Sequence, residues 1–119
     1  MKNKRQIIRR TLTELGISAN LRGYRYIEYG VNLILKDEEY AYSIIKLYET
    51  CSEAFQVTKP SAERGIRNAI EKGWLRKNEE LSDKVFGHGF DKKRGKPINA
   101  EFLAAVAEYV RGELDEVEE

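Results

Sequence analysis

One stripe of small and branched residues constrains this chain more than any other feature. Ala62, Ile66, Ala69, Ile70 and Gly73 recur three and four positions apart, so they share one face of a helix. Trp74 flanks the stripe. So narrow an apolar face suits a helix that crosses a neighbour closely, because small residues are needed where two backbones meet. Residues 56–59 form a short break ahead of it. Thr58 is placed to cap the helix, and Pro60 is tolerated in a first turn whose amides have no intrahelical partner. The spacing predicts a helix over residues 60–74.

The rest of the chain also reads as helix. Ile8, Leu12 and Leu15 mark one face of a first helix over residues 3–15, with Gly16 as its stop. Ile27, Val31, Ile34 and Leu35 mark a second over residues 22–35. Asp37 then offers an N-cap for a stretch running to Phe55, with Ile44, Tyr48, Cys51 and Phe55 along one stripe. That stretch is either one helix or two with a kink near Leu47. A short helix follows Lys77 and Asn78 through Leu81, Val85 and Phe86, and residues 87–97 are a loop rich in glycine and lysine. The last helix opens at an Asn99 cap and packs Phe102, Leu103, Val106, Tyr109 and Val110. No segment alternates with period two. The expected fold is all-α, a compact bundle of about six helices, with a single domain over residues 1–119, a core over about 7–112 and an acidic tail over 113–119.

Length and composition agree. A chain of 119 residues holds one ordinary core, and 41% hydrophobic with 34% charged residues fits a globular protein with a highly charged surface. No apolar run approaches the ~18 residues of a membrane span, and the basic start leads into no apolar signal core. One cysteine, Cys51, excludes an internal disulfide framework and fits a reducing, cytoplasmic setting. The net charge of +1 hides a segregated distribution. Residues 1–10 carry Lys2, Lys4, Arg5, Arg9 and Arg10 with no acid, and residues 84–96 carry Lys84, Lys92, Lys93, Arg94 and Lys96 against Asp91. Residues 113–119 hold Glu113, Asp115, Glu116, Glu118 and Glu119 with no base. Charge runs are commonly solvated faces, yet local fields decide whether a polyanion is attracted.

Residues 48–70 have the layout of a helix-turn-helix. Ser52 is small near the expected crossing, Cys51 and Phe55 point inward, Val57 plugs the turn, and Ala62, Gly65 and Ile66 face back. Opposite the buried stripe lie Pro60, Arg64, Arg67 and Glu71, flanked by Ser61, Glu63 and Asn68. These are groups that base edges require: arginine donates twice to guanine, asparagine pairs with adenine, and glutamate accepts from cytosine. The bland alternative is a solvated face with Glu63–Arg67 and Arg67–Glu71 pairs, worth ~0.2–0.5 kcal/mol each. The expected DNA-binding set is Lys59, Ser61, Glu63, Arg64, Arg67 and Asn68.

Other features carry little chemistry. His88 is the lone histidine, so with one cysteine no zinc site can be assembled, and no metal or cofactor is expected. Cys51 reads as a core residue rather than a nucleophile. Gly87-His-Gly89 lacks the strand-then-helix setting of a phosphate loop. Lys92 to Lys96 either touch phosphates or are solvated, and the seven tyrosines are expected at helix edges. No nucleophile–base pair or paired carboxylates suggest an enzyme.

The run Ser61-Ala-Glu-Arg-Gly-Ile-Arg-Asn-Ala-Ile-Glu-Lys-Gly-Trp74 resembles the recognition helix of the stage-zero sporulation protein A effector domain. That family comprises the C-terminal DNA-binding domains of the sporulation response regulators of Firmicutes. The resemblance extends from about Ile8 to Leu114 and includes Glu-Leu-Gly-Ile at 14–17, Arg-Gly-Tyr at 22–24, Phe86-Gly87, Lys96-Pro97 and Asn99-Ala-Glu-Phe102. It implies a six-helix transcription regulator on double-stranded DNA, with tandem copies head to tail as a homodimer. Glu63, Arg64 and Arg67 match the family's base- and phosphate-contacting positions. The region from about Glu80 to Phe86 matches a surface that contacts the RNA polymerase sigma factor, and the last helix matches one that meets a neighbouring protomer. Ser61 stands where the family carries arginine and Asn68 where it carries histidine, which puts the preferred DNA box in doubt. Family members also carry an N-terminal receiver domain. The basic character of residues 2–10 is unlike a linker and favours a stand-alone chain. Ser61 and the acidic tail leave an alternative: an interaction module that binds sigma factor or a full-length regulator, with DNA binding weak or lost.

Overall fold

The computed structural model describes residues 3–87 and 95–118, the last two as backbone only. His88, Lys92, Lys93 and Arg94 therefore lie outside the described residues, as does most of the expected loop. Seven helices form the described residues: α1 Lys4–Glu14, α2 Arg22–Lys36, α3 Glu39–Tyr42, α4 Ile44–Phe55, α5 Lys59–Trp74, α6 Glu79–Phe86 and α7 Asn99–Glu118. No strand occurs among them.

Local chemistry sets most boundaries. Asn3 and Gln6 form a capping box at α1, each side chain accepting from the other's backbone N–H at 2.9 and 3.1 Å. Gly16, at φ +85°, ends that helix. Asp37 lies one residue before the N-cap position of α3, and its Oδ1 accepts from the amide of Glu39 at 3.0 Å. The stretch to Phe55 is two helices, and the break falls at Ser43 rather than near Leu47. Ser43 leaves the helical region at φ −137°, ψ 86°, and its hydroxyl caps the amide of Lys46. This split accounts for the seventh helix. Thr58 caps α5 as expected, accepting from the amide of Ser61 at 3.1 Å.

The core centres on α7. Phe102, Leu103, Val106, Ala107 and Val110 are fully buried, and α7 packs against α1, α2 and α6. Ile8, Leu12 and Leu15 from α1 and Ile27 and Val31 from α2 complete it, all fully buried. Helix α7 continues through residues 113–118 of the acidic end. Leu114 packs on the core, and the Tyr109 hydroxyl donates to Glu113 at 3.2 Å.

The closest crossing of α5 is with α2, not with α4. A Cβ on Gly23 would fall onto the carbonyl oxygen of Gly65 and lie 2.7 Å from the Ala69 methyl. One on Gly65 would meet the Tyr26 ring at 2.8 Å. Two turns further on, Gly73 lies against the Gly16 backbone just as tightly. Gly65, Ala69 and Gly73 thus form a rail along α5 that rests on the first turn of α2 and the loop before it. At its far end Trp74 packs edge-on against Phe86, with ring centroids 5.4 Å apart. Lys77, nearly inaccessible, lies over the indole at 4.4 Å and reaches Glu79 at 3.3 Å.

Candidate nucleic-acid interface

Helix α4, a turn of residues 56–58 and α5 have the connectivity of a helix-turn-helix. Gln56 turns the chain in the left-handed region, at φ 54° and ψ 48°. The amide of Val57 then bonds back to the carbonyl of Ser52 at 3.0 Å, and Val57 packs against the core. Ala62, Ile66, Ala69, Ile70 and Gly73 are all buried, which leaves the opposite side of α5 to solvent.

The six expected site residues share that helix but differ in freedom. Arg64 and Asn68 are exposed, and their side chains make no hydrogen bond or ion pair among the described residues. Arg67 lies 3.3 Å from the carboxylate of Glu63, the residue four positions before it. An exposed pair in this order contributes only ~0.3–0.5 kcal/mol. A good bidentate base contact discriminates by ~1–3 kcal/mol, so Arg67 is oriented by Glu63 without being trapped. Lys59 Nζ is 3.6 Å from Glu49 on α4, beside the turn. Ser61 is half-buried, and its hydroxyl accepts from Thr58 at 3.0 Å inside the cap. The expected Arg67–Glu71 pair does not form; Glu71 instead meets Lys96 at 3.6 Å.

Asn99 was expected as the cap of the last helix, but its side chain does other work. The cap position falls to Ile98, whose carbonyl accepts from Phe102 at 2.9 Å and whose amide donates to Glu101 Oε1 at 3.1 Å. Asn99 is buried, and its Nδ2 donates to the Tyr48 hydroxyl at 3.0 Å and to the carbonyl oxygen of Glu63 at 3.1 Å. A carbonyl only accepts, so the amide nitrogen must face it. One side chain from α7 therefore ties α4 to α5 where the Glu63–Arg67 pair stands. Burial pushes the Tyr48 phenol up, and the Asn99 bond draws it partly back. The same two helices and residues 96–100 border a cleft of about 240 Å³.

Among the described residues no three or more His, Cys, Asp or Glu side chains form a group that could hold a metal. Nor is any helix there long and apolar enough to cross a membrane. Cys51 is fully buried, and burial pushes its thiol up to about 11, away from nucleophilic use.

A family model described as "Sporulation initiation factor Spo0A C terminal" matches residues 8–110. That span runs from the first fully buried residue of α1, Ile8, to the last fully buried residue of α7, Val110, and so takes in α4, the turn and α5. The chain belongs to the Spo0A C-terminal family, whose members are DNA-binding effector domains of sporulation transcription regulators.

Proposed function

We propose that the chain is a sequence-specific transcription regulator that lays α5 in the major groove of double-stranded DNA. The observation that carries this reading is the state of the outer face. The side chains of Arg64 and Asn68 stand exposed and without a hydrogen bond or ion pair among the described residues, with Arg67 held alongside by Glu63. Arg64 and Arg67 supply guanine-type donors, Asn68 adenine-type recognition, and Glu63 an acceptor for cytosine. Lys59, next to the turn, supplies a phosphate contact. Ser61 is engaged in the helix cap, so the base-reading burden shifts towards Asn68. The domain works in the cytoplasm, binds tandem boxes as head-to-tail copies, and presents the exposed side of α6, with Glu79, Glu80 and Lys84, to the RNA polymerase sigma factor.

The test is an anisotropy titration on duplexes with and without sporulation-type boxes, at two salt concentrations. Tighter binding to box-containing duplexes is expected. Equal affinity for every duplex would refute sequence-specific reading and leave the interaction-module alternative, for which Ser61 in place of an arginine is the favouring observation.

A further inference from the structure

A basic face formed by α1 and α2 takes no part in the reading by α5. Arg5, Arg9 and Arg25 line a depression together with Glu28 and Phe55. Lys4 and Lys36 continue it along the adjoining groove. Among the described residues the Glu28 carboxylate pairs with Arg9, at 2.7 Å. Lys4, Arg5, Arg25 and Lys36 make no ion pair among the described residues. Four cations without an ion pair among the described residues, around one committed carboxylate, leave this face with a net positive field.

The position of this face separates it from an ordinary solvated surface. Phe55 is the last residue of α4, so the depression abuts the turn that leads into α5. Its ring packs edge-on against Tyr26 and Tyr29, with centroids 5.0 and 5.4 Å away, and Tyr26 in turn touches Gly65. The Gly23–Gly65 contact fixes the first turn of α2, which carries Arg25, against the middle of α5. These cations therefore sit on a rigid support beside the reading helix. The molecule is 35 Å across, which at ~3.4 Å per phosphate covers about ten phosphates of each strand. A single helix in the groove leaves much of that backbone uncontacted.

We infer that the Arg5–Arg9–Arg25 face is a second DNA contact, gripping the phosphate backbone that flanks the sequence read by α5. This deepens the function proposed above and rests on it. Phosphate contacts carry no base information, so the face raises affinity for all duplexes alike and sets how far the footprint extends.

The test compares the wild-type chain with Arg5→Gln/Arg25→Gln and Arg5→Lys/Arg25→Lys variants. Anisotropy is read on a box-containing duplex, on the same duplex lengthened by flanking base pairs, and on a scrambled duplex, each over a salt series. Circular dichroism melting checks that both variants fold. For the glutamine variant the slope of log Kd against log salt should fall by ~1.8, about 0.9 for each phosphate released, which is about 12-fold less weakening over an approximately fourfold rise in salt. Affinity for box and scrambled duplexes should drop by the same factor, and the gain from the longer duplex should vanish. The lysine variant should keep the wild-type slope. Specific binding by wild type, with slope and length dependence unchanged in the glutamine variant, would overturn the flanking contact alone. Absence of specific binding by wild type would overturn the major-groove reading and this inference with it.

Discussion

Replacing Asn99 with alanine removes a side chain of α7 that is hydrogen-bonded to both α4 and α5. The substitution deletes two hydrogen bonds, to Tyr48 and to the Glu63 carbonyl, each contributing a net ~1 kcal/mol. Neither acceptor is stranded. The Glu63 carbonyl lies within α5 and keeps its helical bond, while the half-buried Tyr48 hydroxyl can reach water. Alanine is the better helix former by up to ~0.7 kcal/mol, which offsets part of the loss. The expected net cost is therefore about 1.5 kcal/mol. Unfolding entropy of ~2.1 cal/mol/K per residue amounts to ~250 cal/mol/K for a chain of this length, so Tm should fall by about 6 °C. Two further readouts separate a positioning role from general destabilisation. The Tyr48 phenol should titrate at higher pH once its hydrogen-bond donor is gone, as followed by tyrosinate absorbance. Affinity for a specific duplex should fall even well below Tm, because the Glu63–Arg67 pair loses its fixed backing. An unchanged Tm together with an unchanged Tyr48 titration would refute the reasoning.

Arg64→Ala should cost about 1–3 kcal/mol on a specific duplex and far less on random DNA, measured by anisotropy at fixed salt. Gly65→Ala gains ~1 kcal/mol of helix propensity but forces a methyl to within 2.8 Å of the Tyr26 ring; overpacking at ~1–3 kcal/mol should win, giving a lower urea midpoint. The Cys51 thiol has a folded-state pKa raised from 9.0 to about 11, so the neutral form is favoured by folding. Its contribution to stability is full below about pH 9 and disappears as pH rises towards 11, a loss that a Cys51→Ala variant should not show in alkaline urea melts. Asp115→Asn/Glu116→Gln should leave stability intact while reporting any competition between this end of α7 and DNA. Deleting residues 113–119 would instead remove the core contact of Leu114 and lower Tm.

Much of α5 was legible because its pattern is local. A cap at Thr58, a tolerated Pro60 and buried residues three and four apart depend only on helix geometry, and all of them hold. The partner of its small residues was not legible. Chain neighbours suggest α4, yet Gly65 meets Gly23, forty-two positions away, and a helical period says which face is small without saying what lies against it. Gly16, read as a helix stop, and Gly23 in the first turn of α2 held the clue, since glycines at such positions often mark close backbone approach. Asn99 misled for a similar reason. Asparagine at a helix start suggests a cap, and only the fold shows a buried carboxamide between two other helices. Ser43 was a signal overlooked: a serine three residues before the amide it caps is an N-cap pattern.

The glycine rail under α5 has a consequence for how such a domain can change its target. It seats the helix by main-chain contact at Gly23–Gly65 and Gly16–Gly73, so the fit does not depend on which side chains project from the far side. The exposed positions 64, 67 and 68 are thereby decoupled from the foundations of the fold, whereas Ser61 is tied into the helix cap. On the proposed function, operator preference can drift, or be selected from a library randomised at those three sites, while the melting temperature stays nearly constant.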